Sequence, residues 1–282
     1  MADTSGGDEL FKHFARRRAA RMADPRYTML GRPTWIEYPQ ATAAVAWIEG
    51  IIDRAIAGEA GKYCLLGESF SGKTRAVRRA CAGRDRDVLV VDALACSDAE
   101  ELLEAIYMAL HGIDRAWMIY SELDLDSARY EVETGLRDRG VNLLVLDGFD
   151  PHASRFKDPF GLLFEELDTL STRLGMSILL VAANAEIDSV VEGYAAHHLD
   201  PIPFGADFLA VLRAFERWAC LHRPSNLHEE PTARYIHERT AGLIGRVDRL
   251  VSECARHAID SGEECITIES MERCFKRDEY SW

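Results

Sequence analysis

The sequence predicts an α/β fold in which a parallel five-stranded sheet carries helices on both faces and is followed by an all-helical region. Three observations predict it. Apolar runs without alternation recur at 62–66, 87–92, 141–147 and 177–183, the pattern of parallel strands covered on both sides. Helix-forming stretches lie between them, at about 98–111, 126–139 and 160–174. After Gly205 the strand pattern disappears, and helices are expected at about 206–221, 230–240, 244–260 and 267–276.

In chain order, residues 8–22 read as a helix carrying a basic cluster of Lys12, Arg16, Arg17, Arg18 and Arg21. Such a cluster either neutralises nucleic-acid phosphates or solvates one face of an amphipathic helix. A lead segment from Asp24 to Pro39, broken by Pro25, Gly31 and Pro33, reads as extended. Val45, Ile48, Ile51, Ile52 and Ala55 then recur at helical spacing and predict a helix over about 42–57. A fifth strand is expected at His198–Phe204, confined to an edge by Pro201 and Pro203.

The chemistry begins between the first strand and the helix after it. Residues 67–74 read Gly67-Glu68-Ser69-Phe70-Ser71-Gly72-Lys73-Thr74, which fits G-x-x-x-x-G-K-[ST] without a mismatch. Backbone N–H groups of such a loop wrap phosphates, the lysine offers a compact charge to the outer ones, and the final hydroxyl ligates Mg²⁺. ATP with Mg²⁺ is the expected cofactor. The expected divisions are 1–40 for the basic helix and lead segment, 41–204 for the nucleotide-binding domain and 205–282 for a helical lid.

Asp147, at the end of the apolar run Leu143–Leu146, is placed to hold the metal shell together with Thr74. The next residue matters as much. Hydrolytic relatives of this loop carry a glutamate after that aspartate to polarise water, and here the residue is Gly148. Asp150 is a weak substitute, because strand alternation turns its side chain away. Glu68 is a poor base, since side chains of such a loop point outward. Slow or absent hydrolysis is therefore expected.

Two further residues have paired readings. Asn184, after the fourth apolar run, either orients water near the terminal phosphate or starts a turn. Arg246, in Gly242-Leu243-Ile244-Gly245-Arg246, either reaches the phosphates from the lid or is a solvated helix residue. The stretch before the expected fifth strand, Gly193-Tyr194-Ala195-Ala196-His197-His198, holds no arginine to reach into a neighbouring subunit's nucleotide.

Composition restricts the rest. With 48% hydrophobic and 28% charged residues the chain is expected to bury a sizeable core. A formal net charge of −14 argues against a surface that adheres to nucleic acid everywhere, leaving DNA contact to local basic patches. The seven cysteines form no C-x-x-C pair and suit a reducing compartment. No apolar run approaches ~18 residues and no basic-then-apolar leader opens the chain, so a cytoplasmic protein without a membrane partner is expected.

Taken in order, these motifs resemble the TniB/TnsC group of AAA+ ATPases, regulators of DNA transposition. The distinctive carriers are Asp24-Pro25-Arg26-Tyr27 and Trp35-Ile36-Glu37-Tyr38-Pro39-Gln40-Ala41, joined by the loop, Asp147, Asn184 and Gly242-Leu243-Ile244-Gly245 with Leu250. The resemblance implies a homo-oligomer that binds ATP, assembles on duplex DNA, recruits or activates a transposase and communicates with a target-selection protein. Gly148 and His197-His198 depart from the family's hydrolytic pattern. A signalling or defence NTPase acting through protein partners is the alternative. A metabolic kinase would need a polar substrate lid in place of the helical C-terminal region.

Overall fold

The computed structural model describes residues 24–32, 34–94, 96, 98–113, 125–149, 161–183 and 193–277. In chain order the described elements are α1 (Pro25–Leu30), α2 (Pro39–Ile56), β1 (Lys62–Leu66), α3 (Lys73–Ala80), β2 (Val88–Asp92), α4 (Ala99–His111), α5 (Leu125–Arg139), β3 (Leu143–Phe149), α6 (Gly161–Leu174), β4 (Ser177–Ala182), β5 (Ala195–His198), α7 (Ala206–Ala219), α8 (Thr232–Thr240), α9 (Ile244–Ser261) and α10 (Ile268–Arg277). They form two compact units. One is Pro39–Asp200; the other joins the chain up to Tyr38 with the chain from Pro201 onward.

The first unit is the expected sheet, five parallel strands in the order β2-β3-β4-β1-β5. Alternate residues of each strand feed two separate cores, as a period of two demands. Leu144, Leu146, Ile178 and Leu180 pack with Leu102, Ile106, Val132, Leu136 and Leu167 of α4, α5 and α6. On the other face Leu143, Val145, Leu179 and Val181 pack with Ile48 and Ile52 of α2 and Ala76 and Val77 of α3. Fully buried strands on both faces explain why these runs show no alternation.

The fifth strand differs from expectation. It is Ala195–His198, earlier in the chain than His198–Phe204, and it pairs with β1 at the sheet edge. Pro201 and Pro203 have no N–H to give a ladder, so pairing ends with Leu199 N–H donating to the Leu66 carbonyl at 2.8 Å. The strand itself, Ala-Ala-His-His, is largely exposed and carries no apolar signal.

The lead segment also differs. Asp24-Pro25 starts the helix α1: Asp24 accepts from Arg26 N–H at 2.9 Å and Pro25 takes the first helical position, where its missing N–H costs nothing. Within the second unit this helix is clamped to the helical region. Arg26 forks between Asp24 and Glu264, at 2.7 and 2.8 Å. Tyr27 donates to Asp260, and Arg256 donates to the Leu30 carbonyl at 2.8 Å. In the same unit Gly242 (φ +71°) packs so tightly on Ile202 that a Cβ would sit 2.1 Å from the Ile202 carbonyl oxygen. Ile202 N–H in turn donates to the Gly242 carbonyl at 3.0 Å.

The Arg26 fork sets a pH dependence. Its guanidinium holds the carboxyls of Asp24 and Glu264 below their ordinary values of 3.8 and 4.5. A carboxyl with a depressed folded-state pKa adds stability above its unfolded value and loses it as pH falls through the folded one. Denaturant midpoints should therefore drop as pH is lowered from about 6 toward about 3, more steeply in the native chain than in Arg26→Met. At neutral pH the variant should lose about 1–3 kcal/mol, because two half-buried carboxylates lose their partner.

Candidate functional site

The phosphate loop leaves the C-terminal end of the buried strand β1 and returns into α3. Its shape depends on glycine at both ends. Gly67 adopts φ +154°, and a Cβ there would meet the Leu199 carbonyl oxygen at 2.5 Å. Gly72 caps α3 with φ +102°, a left-handed conformation that a side chain disfavours. Between them Glu68, Ser69 and Phe70 are exposed, whereas Ser71 is buried, so the side chains turn outward as a backbone cradle requires.

Lys73 opens α3 and is almost fully buried. Its ammonium donates to the Gly67 and Glu68 carbonyls at 2.7 and 2.8 Å. Burial lowers its pKa to about 8, against the opposing charges of Asp147 and Glu68. Thr74, one residue on, donates from its hydroxyl to Asp147 Oδ1 at 3.0 Å. The two expected metal-holding side chains therefore meet, although 73 positions separate them in sequence. Burial raises the Asp147 pKa; the Thr74 bond and the charges of Arg78 and Lys73 oppose that rise. A cradle that only glycine allows, a cation at its centre and a hydroxyl–carboxylate pair at its edge fit a Mg²⁺-bound nucleoside triphosphate.

Gly148 does more than lack a side chain. It has φ +83° and lies in an irregularity of β3, where the register to β4 shifts between Asp147 and Phe149. A Cβ at Gly148 would find ordinary contacts, Leu94 Cβ at 3.5 Å and Asp92 Oδ1 at 3.8 Å. The obstacle to another residue is backbone conformation, not space.

Asp150, Asn184 and the basic residues Lys12, Arg16, Arg17, Arg18 and Arg21 lie outside the described residues. Arg246 stands in the first turn of α9, where no acidic residue accompanies it and the helix dipole disfavours a cation. His197 and His198 fall within β5 and not before it, and His197 stacks on Trp47 of α2 with centroids 5.1 Å apart. Residues 184–194, which now precede the strand, contain no arginine either. One acid passed over in the sequence stands beside the site: Asp92 ends β2 in register with Asp147. Its signal was the run Val88-Leu89-Val90-Val91-Asp92, which parallels Leu143-Leu144-Val145-Leu146-Asp147.

A family model for the bacterial TniB protein matches residues 26–192, more than half of the chain. The chain belongs to the TniB family. Curated proteins return no match. Among solved structures, this TniB protein is similar to the Aeropyrum pernix ORC1 protein in complex with DNA (18% identity, 89% of this chain and 69% of that one, TM-score 0.66). It is also similar to Cdc6p from Pyrobaculum aerophilum (15%, 88% and 70%, 0.62) and to Drosophila ORC bound to DNA (13%, 89% and 65%, 0.58). At such identities the likeness establishes the fold, that of AAA+ ATPases, with a helical C-terminal region following the sheet.

Two outcomes follow from the geometry. Phosphate binding favours the charged lysine, so ATP affinity measured calorimetrically should weaken as pH rises above about 8, by up to about tenfold per pH unit. Lys73→Ala should bind weakly and lose that pH dependence. Gly148→Glu should not restore fast hydrolysis, and it should destabilise the chain by about 1–2 kcal/mol through the left-handed backbone, as read from denaturant midpoints.

Proposed function

We propose that this TniB protein is an ATP-dependent assembly switch in DNA transposition. ATP and Mg²⁺ bind at Gly67–Thr74, with Lys73 on the outer phosphates and Thr74 and Asp147 holding the metal. Bound Mg²⁺ would neutralise phosphate charge. The protein oligomerises with nucleotide on duplex DNA and recruits or activates a transposase, while a target-selection protein directs it. The observation that carries this reading is the contrast at the end of β3: the Thr74–Asp147 pair is intact, while the next residue is a glycine in a left-handed bulge. Such a site grips nucleotide without a fast route to its hydrolysis.

Family membership supports the transposition setting, and the DNA-bound structural neighbours support contact with duplex. The basic cluster Lys12, Arg16, Arg17, Arg18 and Arg21 supplies the phosphate contacts in this proposal, and Arg246 reaches the nucleotide from the helical region. Asn184 orients water at the terminal phosphate. Free cysteines fit a cytoplasmic setting, and among the described residues no helix is long and apolar enough to cross a membrane. The net charge of −14 favours a second reading, a signalling or defence NTPase that works through proteins alone.

Gel filtration and electron microscopy with ATP, Mg²⁺ and duplex DNA separate the two. Assemblies that need both nucleotide and DNA, and that Lys73→Ala abolishes, are the expected outcome; a chain that stays monomeric in every combination overturns the switch. Duplex binding measured by anisotropy should fall steeply between low and moderate salt, as counterion release requires. Steady-state turnover should remain well below about 1 per second.

A further inference from the structure

A carboxylate already occupies the neighbourhood that a side chain at Gly148 would enter. Asp92 Oδ1 lies 3.8 Å from the position of a Cβ built on Gly148. Asp92 ends β2 directly opposite Asp147, and in-register residues of adjacent parallel strands send their side chains to the same face about 5 Å apart. The strand end is tied down: Ala93 N–H donates to the Asp147 carbonyl at 2.8 Å, and Leu94 N–H donates to Asp92 Oδ1 at 3.0 Å. Asp92 is nevertheless exposed, so water reaches it.

We propose that Asp92 is the water-activating carboxylate of this site, supplied by the neighbouring strand in place of the residue missing at 148. The proposal rests on ATP binding at the loop. In the step it serves, the water oxygen forms a bond to the terminal phosphorus while the bond from that phosphorus to the bridging oxygen breaks. The electron pair of the broken bond leaves with ADP. The proton released by water passes to the Asp92 carboxylate and from there to solvent. An aspartate reaches less far than a glutamate and one oxygen is engaged by Leu94, so the resulting hydrolysis is slow, in keeping with a switch that resets without running as a motor.

The competing role for Asp92 is to cap the turn to Leu94. Asp92→Asn separates the two, because an amide oxygen still accepts from Leu94 N–H but cannot take a proton. Three measurements on the full chain are needed: single-turnover ATP hydrolysis, ATP affinity by calorimetry, and the lifetime of ATP-induced assemblies after dilution into nucleotide-free buffer. The expected result for Asp92→Asn is hydrolysis at least about tenfold slower, affinity within about threefold, and longer-lived assemblies. Hydrolysis unchanged in Asp92→Asn overturns the proposal, as does a parallel loss of affinity and rate. Native protein without any Lys73-dependent hydrolysis also overturns it and leaves the assembly switch standing. Asp92-dependent hydrolysis in a chain that ATP never assembles overturns the switch and leaves Asp92 in place.

Discussion

The hydrogen bond from Thr74 to Asp147 is the constraint on which the nucleotide site depends. Its partners belong to α3, which follows β1, and to β3, and the strand order puts β4 between β1 and β3. The hydroxyl and the carboxylate meet because α3 is seated in the core on this face of the sheet. Ala76, Val77 and Ala80, all buried, give α3 a narrow face in the core that also holds Val145 and Leu179. Larger residues on that face would lift the helix and part the pair. Core packing and metal-site geometry are thus one requirement, met by small side chains at the turns after Lys73.

The other end of the pair is where the proposed separation of nucleotide grip from turnover has its structural basis. Asp147 is still on the regular strand, in register with Asp92 and Val181, whereas Gly148 has left it. A left-handed residue costs an L-amino acid about 1–2 kcal/mol and costs glycine almost nothing. The bulge therefore favours glycine at 148, and a glutamate held in it would bear that cost. The absence of a glutamate at 148 and the bulged backbone path go together, so a single substitution does not undo both.

The sheet and the nucleotide loop were legible in the sequence because their signals are local. Continuous apolar runs mark strands buried on both faces, and the loop's glycines mark positions that no other residue tolerates. The Thr74–Asp147 pair was legible because each residue sits at a fixed place relative to its own strand. What escaped depended on partners far away in sequence. β5 is Ala-Ala-His-His, a strand only because β1 offers it an edge; α1 is six residues long and gains its stability from Glu264 and Asp260, more than 230 positions on. Asp92 was hidden differently. Its pattern was visible, but its relevance needs the register of β2 against β3, and one residue of slip would have sent it to the opposite face.

The same long-range dependence fixes two glycines, one in each unit. After β5 the chain makes its last ladder bond from Leu199 to Leu66, the residue directly before the phosphate loop. Three residues later Ile202 bonds to Gly242, directly before Leu243, the N-cap of α9, the helix that carries Arg246. Both anchors are glycine-tight: Gly67 cannot carry a Cβ because of the Leu199 carbonyl, nor Gly242 because of the Ile202 carbonyl. Between them, Pro201 allows little rotation about its own φ. Each glycine is thus held by the backbone of a residue far from it in sequence.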